Sequence, residues 1–178
     1  MIEARAIIKD IAETKNKLEA LGAVFDSDYA FKDVIFVPQK DRYDLNGGFL
    51  RARVYIKNNW PTKKVVLVKK QIKFKNVGKE DTIILRQEFD TEQQASDFVK
   101  KEFGSEFKRS FEYEREGWQY NLEGCRIFVE DIKGYKPSIE IETDTEDQIN
   151  SLFEKIGVVE KIKTSIPEAM RQILTKKE

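Results

Sequence analysis

Hydrophobic and polar residues change period repeatedly along this chain. A period of two puts successive side chains on opposite faces of an extended strand. It predicts strands over residues 2–8, 31–38 (FKDVIFVP), 49–56 (FLRARVYI), 63–74 (KKVVLVKKQIKF), 82–90 (TIILRQEFD), 109–120 (RSFEYEREGWQY), 125–132 (CRIFVEDI) and 138–143 (SIEIET). Helical patterns with end signals cover 10–22, 91–104, 145–157 and 166–177. Asp10 is the expected N-cap of the first helix, with Glu13 placed for a capping box, Ile11, Leu18 and Leu21 as its apolar stripe and Gly22 as its stop. Thr91 and Thr145 cap the next two, Phe98 and Phe103 are the expected core contacts of the second, Gly157 stops the third, and Pro167 stands in the first turn of the fourth. DLNGG (44–48) reads as a turn and KNNWPT (57–62) as a loop. Consecutive strands with short connections predict an α+β fold, an antiparallel sheet or barrel with helices outside, in one domain spanning 1–178.

The alternation itself poses a question. Arg51 and Arg53 share one strand face, with Leu50 and Ala52 on the other. Arg86, Glu88 and Asp90 lie opposite Leu85, Gln87 and Phe89, and Glu140 and Glu142 lie opposite Ile139 and Ile141. Glu3 and Arg5 share a face, Glu130 falls with Phe128 and Ile132, and Lys69 with Val65 and Leu67. On any single strand, a solvated outer face with cross-strand ion pairs is the ordinary reading. Its recurrence supports the inverse, in which helices cover the apolar side and the charged faces line an interior. Arginines and carboxylates enclosed together require compensation by ligands. An anion would answer the basic groups and a divalent cation the carboxylates. Arginine forks suit phosphate, and oxygen ligands without histidine select Mg2+ or Mn2+. The implied ligand is a polyphosphate–metal complex.

Composition narrows the chemistry. Of 178 residues, 40% are hydrophobic and 36% charged, and 32 basic residues balance 32 acidic ones. That balance gives no global attraction to nucleic acid or a membrane. No histidine is present, which excludes imidazole catalysis and histidine ligation. The single cysteine, Cys125, excludes intramolecular disulfides and is expected to be a small buried apolar residue. Without a signal-peptide pattern or an apolar run of roughly 20 residues, a cytoplasmic protein is expected.

These residues resemble those of the CYTH family, the triphosphate-tunnel metalloenzymes. KDVIF (32–36) is similar to the family's acidic-aromatic strand, FLRARV to its L-R-x-R strand and LVKK to its lysine strand, with Lys69 in the lysine place. RQEFD resembles R-x-E-x-E, REGW (115–118) the R-x-x-W half of K-x-R-x-x-W, and EDIKGYKPSIEIE the D-x-V-x-G…E-x-E ending. The resemblance runs over nearly the whole chain and implies an eight-stranded antiparallel β-barrel, a tunnel with flanking helices. It implies a triphosphate substrate (ATP, inorganic triphosphate or thiamine triphosphate) and two divalent metals. The activity implied is triphosphate hydrolysis or class IV adenylyl cyclase-type cyclisation, in a monomer or homodimer with no nucleic-acid or membrane partner.

By this resemblance Arg51, Arg53, Lys69, Arg86 and Arg115 are phosphate-binding candidates. Glu3, Glu88, Glu130, Glu140 and Glu142 are candidate Mg2+ or Mn2+ ligands, some of which would only orient the basic residues. Glu88 would position an attacking water, and it and Arg53 are the catalytic candidates. Asp90, at the strand end, is a weaker metal-ligand candidate. Trp60, Tyr43 and Trp118 are able to stack on a base, though packing is the preferred reading of each. The chain departs from the family's N-terminal E-x-E-x-K: Arg5 stands in the place of the second acid and Ile7 in that of the lysine, with Lys9 two residues on. Tyr113 stands where a further lysine belongs. Arg5 is either an extra substrate-binding group or an internal counter-ion replacing a metal. The departures leave open a catalytically impaired triphosphate- or nucleotide-binding module.

Overall fold

The computed structural model describes residues 1–39 and 43–175. Its elements run β1 (Ile2–Ile7), α1 (Ile11–Ala20), β2 (Val24–Pro38), β3 (Gly48–Lys57), β4 (Val65–Phe74), β5 (Lys79–Phe89), α2 (Glu92–Phe103), β6 (Phe107–Leu122), β7 (Cys125–Ile132), β8 (Ser138–Thr143), α3 (Glu146–Ile156), β9 (Glu160–Ile162) and α4 (Ile166–Thr175). The eight expected strands and four helices are all present. The expected end of the last helix, 176 and 177, lies outside the described residues. The unexpected β9 has only three residues, too few to show a period, and pairs with β1 through Arg5↔Ile162.

The strands join in the order β5-β4-β3-β2-β6-β7-β8-β1-β9, and β1 also pairs with β5. The order of the first eight strands therefore closes on itself, through the antiparallel pair Glu3↔Lys79. The expected antiparallel sheet with flanking helices is thus the observed fold class.

Local chemistry sets the helix ends. The Asp10 carboxylate accepts from the Glu13 backbone N–H at 2.8 Å, and Thr91 and Gln94 form a full capping box at α2. Gly157 closes α3 in the left-handed region that glycine adopts without strain. Leu18 is fully buried, whereas Leu21, expected on the same stripe, ends the helix and is exposed.

The chain divides into two compact units. Unit 1 comprises Met1–Tyr29, Lys73–Asp81 and Arg115–Lys163; unit 2 comprises Ala30–Ile72, Thr82–Glu114 and Thr164–Glu178. In unit 1, Ala4 and Ala6 of β1, Ile127 and Val129 of β7, and Ile139 and Ile141 of β8 form a core with Leu18 of α1 and Ile149, Leu152, Phe153 and Ile156 of α3. In unit 2, Val34, Phe36, Leu50, Ala52, Val65 and Leu67 pack with Ala95 and Val99 of α2. Phe98 and Phe103 lean on that core as expected. Cys125 is a buried core residue. Each fully buried large side chain contributes roughly 1.5–3 kcal/mol. In both units the helices cover the apolar strand faces, so the charged residues occupy the opposite faces.

Candidate functional site

In unit 1 the register assembles charges strand by strand. Glu3 stands opposite Glu142 and Arg5 opposite Glu140 across the β1–β8 ladder. Across β7–β8, Arg126 stands opposite Glu142 and Glu130 opposite Ser138. Opposed residues of an antiparallel pair share a face, so these side chains converge. Arg5 donates through Nη1 to Glu130 Oε2 at 2.9 Å and Ser138 Oγ at 2.8 Å, and through Nη2 to Glu140 Oε2 at 2.7 Å. Arg115 Nη1 donates to the same Glu130 oxygen at 2.9 Å, and the Tyr29 hydroxyl donates to Glu130 Oε1 at 2.6 Å. Glu130 is 3% exposed. Burial opposes its charge, but Arg115 and Arg5 outweigh burial and hold its carboxyl below the usual range. Burial likewise opposes the Arg5 charge, and Glu140 and Glu130 outweigh it, raising its pKa. Gly117, opposite Glu130 on β6, makes room for this network: a Cβ there would lie 2.3 Å from Tyr29 Cζ.

Beside the network, one carboxylate oxygen each of Glu3, Glu140 and Glu142 lie within 4.8 Å of one another. Lys79 Nζ bridges Glu3 Oε2 at 2.6 Å and both Asp81 oxygens at 2.9 Å, and Arg126 pairs with Glu142. The Glu142 carboxyl is pushed up to about 8 by burial and by the Glu140 and Glu3 charges. Three convergent carboxylates, one of them reluctant to ionise, fit a hard divalent cation such as Mg2+ or Mn2+.

In unit 2 the basic residues line the face opposite α2. Arg53 grips the fully buried Asp33 with a fork, Nε at 2.8 Å and Nη2 at 3.0 Å, and lies over the Phe31 ring at 3.6 Å. Arg51 Nε is 3.7 Å from the same carboxylate. Arg86 Nη2 pairs with Glu88 Oε1 at 2.7 Å, and Glu88 Oε2 accepts from the Lys63 backbone N–H at 3.0 Å. That backbone bond, then Arg86, lowers the Glu88 pKa, so this carboxylate stays ionised near neutrality. Lys69 keeps the face of Val65 and Leu67 that the alternation gives it, which is the core face and not that of Arg51 and Arg53. It pairs with Leu50 on the core face, and its ammonium lies 5.3 Å and 5.5 Å from the Phe103 and Phe107 rings. Lys70, one residue on, shares the Arg51 and Arg53 face and lies 5.0 Å over Phe49. Adjacent residues of a strand point to opposite faces, which separates the two lysines.

Of the predicted metal ligands, Glu3, Glu140 and Glu142 come together in unit 1. Glu130 is occupied by two arginines and a tyrosine. Glu88 belongs to unit 2, where Arg86 and the Lys63 backbone hold it. Arg5, for which two roles were left open, is hydrogen-bonded to Glu130, Ser138 and Glu140. Tyr113 is buried and stacks on Phe111 at 6.3 Å, and Trp118 leans on the unit 1 core. Lys79, Asp81, Arg126 and Tyr29 were not anticipated. β5 begins three residues before its apolar run, and β2 seven before its own, so Lys79, Asp81 and Tyr29 fell outside the expected strands. Arg126 alternates with Phe128 and Glu130 on β7, a signal that was present in the chain.

No family model and no curated protein matches the chain. Solved structures do. The PH1819 protein of Pyrococcus horikoshii superposes with a TM-score of 0.74 at 16% identity, over 96% of this chain and 98% of that one. A candidate adenylyl cyclase from Hippeastrum, described as having a dominant triphosphatase activity, gives 0.70 at 18% identity, over 96% and 95%. A candidate adenylate cyclase from Vibrio parahaemolyticus gives 0.66 at 12% identity, over 98% and 97%. The fold is shared with all three. No helix among the described residues is long and apolar enough to cross a membrane.

Proposed function

We propose that this protein is a divalent-metal-dependent enzyme of the CYTH type acting on a triphosphate. The observation that carries the reading is the meeting of Glu3, Glu140 and Glu142 carboxylates on strands that share their fold with adenylyl cyclase candidates and with a protein of dominant triphosphatase activity. Glu3, Glu140 and Glu142 would hold Mg2+ or Mn2+. When bound, the metal supplies neutralisation of phosphate charge. Arg51, Arg53, Lys70 and Arg86 would bind phosphate oxygens, with Asp33 fixing the two β3 guanidiniums so that little rotamer freedom is lost on binding. Glu88, ionised and held by Arg86 and Lys63, is suited to orient a water rather than to take its proton far from neutrality.

Phosphoryl chemistry rests chiefly on positioning and charge neutralisation, so the lack of histidine is no obstacle. Charged groups for the phosphate chain serve hydrolysis and cyclisation alike, so the products distinguish the two. The test incubates the protein with inorganic triphosphate, thiamine triphosphate or ATP, with Mg2+ or Mn2+, and measures orthophosphate, pyrophosphate and cyclic AMP. Orthophosphate release from at least one substrate, abolished by chelator, is expected. Cyclic AMP with pyrophosphate would assign the cyclase instead. Tight triphosphate binding without any product would assign a binding module.

A further inference from the structure

We propose that the Arg5 guanidinium is a tethered cation standing where Glu130, Ser138 and Glu140 would otherwise hold a divalent ion. Unit 1 then takes one Mg2+ or Mn2+, on Glu3, Glu140 and Glu142, and no second. This rests on the metal-dependent reading above and specifies its stoichiometry.

The geometry is that of a filled oxygen cradle. Glu130 Oε2, Ser138 Oγ and Glu140 Oε2 come from two adjacent strands and all lie within 2.9 Å of Arg5 guanidinium nitrogens. Two carboxylates and a hydroxyl are an oxygen donor set that a hard cation accepts. Arg5 reaches them because it stands directly opposite Glu140, one strand from β7. The site is dry: Arg5 is 7% exposed, and Ser138 is fully buried. In such surroundings two carboxylates without a nearby cation are strongly disfavoured. With the guanidinium in place, a metal ion there would meet a fixed positive charge at contact distance, and its ligand oxygens are already used. Arg115 and Tyr29 also bind Glu130. Arg5 bridges the two acids, one guanidinium nitrogen to each. A guanidinium keeps its charge across the accessible pH range and cannot be drawn off by a chelator, so this half of the ionic face stays neutralised whether or not metal is present.

The experiment counts bound Mn2+ by electron paramagnetic resonance and calorimetric titration, using the full chain without substrate. Wild type is expected to bind one equivalent. Arg5→Gln, which empties the cradle of charge, is expected to bind two, and to gain several degrees more in Tm on Mn2+ addition than wild type does. Arg5→Lys, which keeps a cation there, is expected to bind one. Two equivalents in wild type would overturn the inference and leave the metal-dependent reading standing. No binding in wild type would overturn that reading itself. One equivalent in a folded Arg5→Gln protein would also overturn the inference. Should Arg5→Gln fold only when Mn2+ is supplied, its count is taken after refolding in Mn2+; should it fold in neither condition, the wild-type and Arg5→Lys counts decide.

Discussion

In unit 1 the network around Glu130 is nearly dry. Arg5 and Arg115 are each 7% exposed and Glu130 is 3% exposed, and every Glu130 oxygen is engaged. In unit 2 the Arg86–Glu88 pair is wetter. Asp33 is fully buried beneath Arg53, but the Arg86 side chain is 49% exposed and its partner Glu88 26%. A buried charge whose hydrogen bonds are all used by the protein behaves as framework, because removing one partner strands the others in low dielectric. A half-exposed pair contributes little to stability and keeps donors for a ligand. The same alternation of apolar and ionic residues thus stands in two environments, separated by water access.

The sharpest way to break this contrast is Glu130→Ala. It leaves Arg5 and Arg115 buried without their shared counter-ion and is expected to cost about 3–5 kcal/mol in urea unfolding. A loss below about 1 kcal/mol would mean the network is solvated and the contrast unreal.

Next comes pH. Burial, Glu140 and Glu3 raise Glu142 to about 8, above the ordinary carboxyl value. The folded state therefore holds this proton more tightly than the unfolded chain. The stabilisation is complete below the ordinary carboxyl range and is lost as pH rises through about 8. Metal-free protein should lose about 2–3 kcal/mol between pH 6 and 9, read by thermal melts, and Glu142→Gln should flatten that slope.

Gly117→Ala should cost about 1–3 kcal/mol, because the new methyl meets the Tyr29 ring rather than solvent. Lys70→Ala should weaken inorganic triphosphate binding about tenfold by calorimetry. Lys69→Ala should change it less than about twofold, since Lys69 lies on the core face. Equal effects of the two lysines would remove the assignment of faces in unit 2. Smallest of all, Arg86→Ala should shift stability by no more than about 0.5 kcal/mol while raising the KM for a triphosphate.

The elements themselves were legible. Thr91 and Thr145 cap the helices they were expected to cap, and the runs around Arg51, Arg86 and Glu140 are strands. Glu3, Glu88, Glu130, Glu140 and Glu142 were legible as ligand candidates through alternation and family resemblance, and of these Glu3, Glu140 and Glu142 meet. Alternation placed Lys69 with Val65 and Leu67, and the register agrees; its phosphate-binding role came from the family resemblance alone, and the pairing of Leu50 with Lys69 sets it on the core face. Lys79 and Tyr29 failed because they lie in strand extensions without a pattern of their own. Their roles come from partners distant in sequence, Glu3 at 76 residues and Glu130 at 101.

By itself, the order of residues determined where strands and helices form and which residues share a strand face, because side-chain period and capping chemistry act over a few neighbours. It also determined that any metal here is held by oxygen, since no histidine is available and the lone cysteine is core. Only the tertiary structure decided which face the helices cover, that Arg5 joins Glu130 to Glu140, and that Lys70 rather than Lys69 stands with the arginines. Those outcomes depend on ladder register and on access of water to each charge, and both are properties of strands brought together from distant parts of the chain.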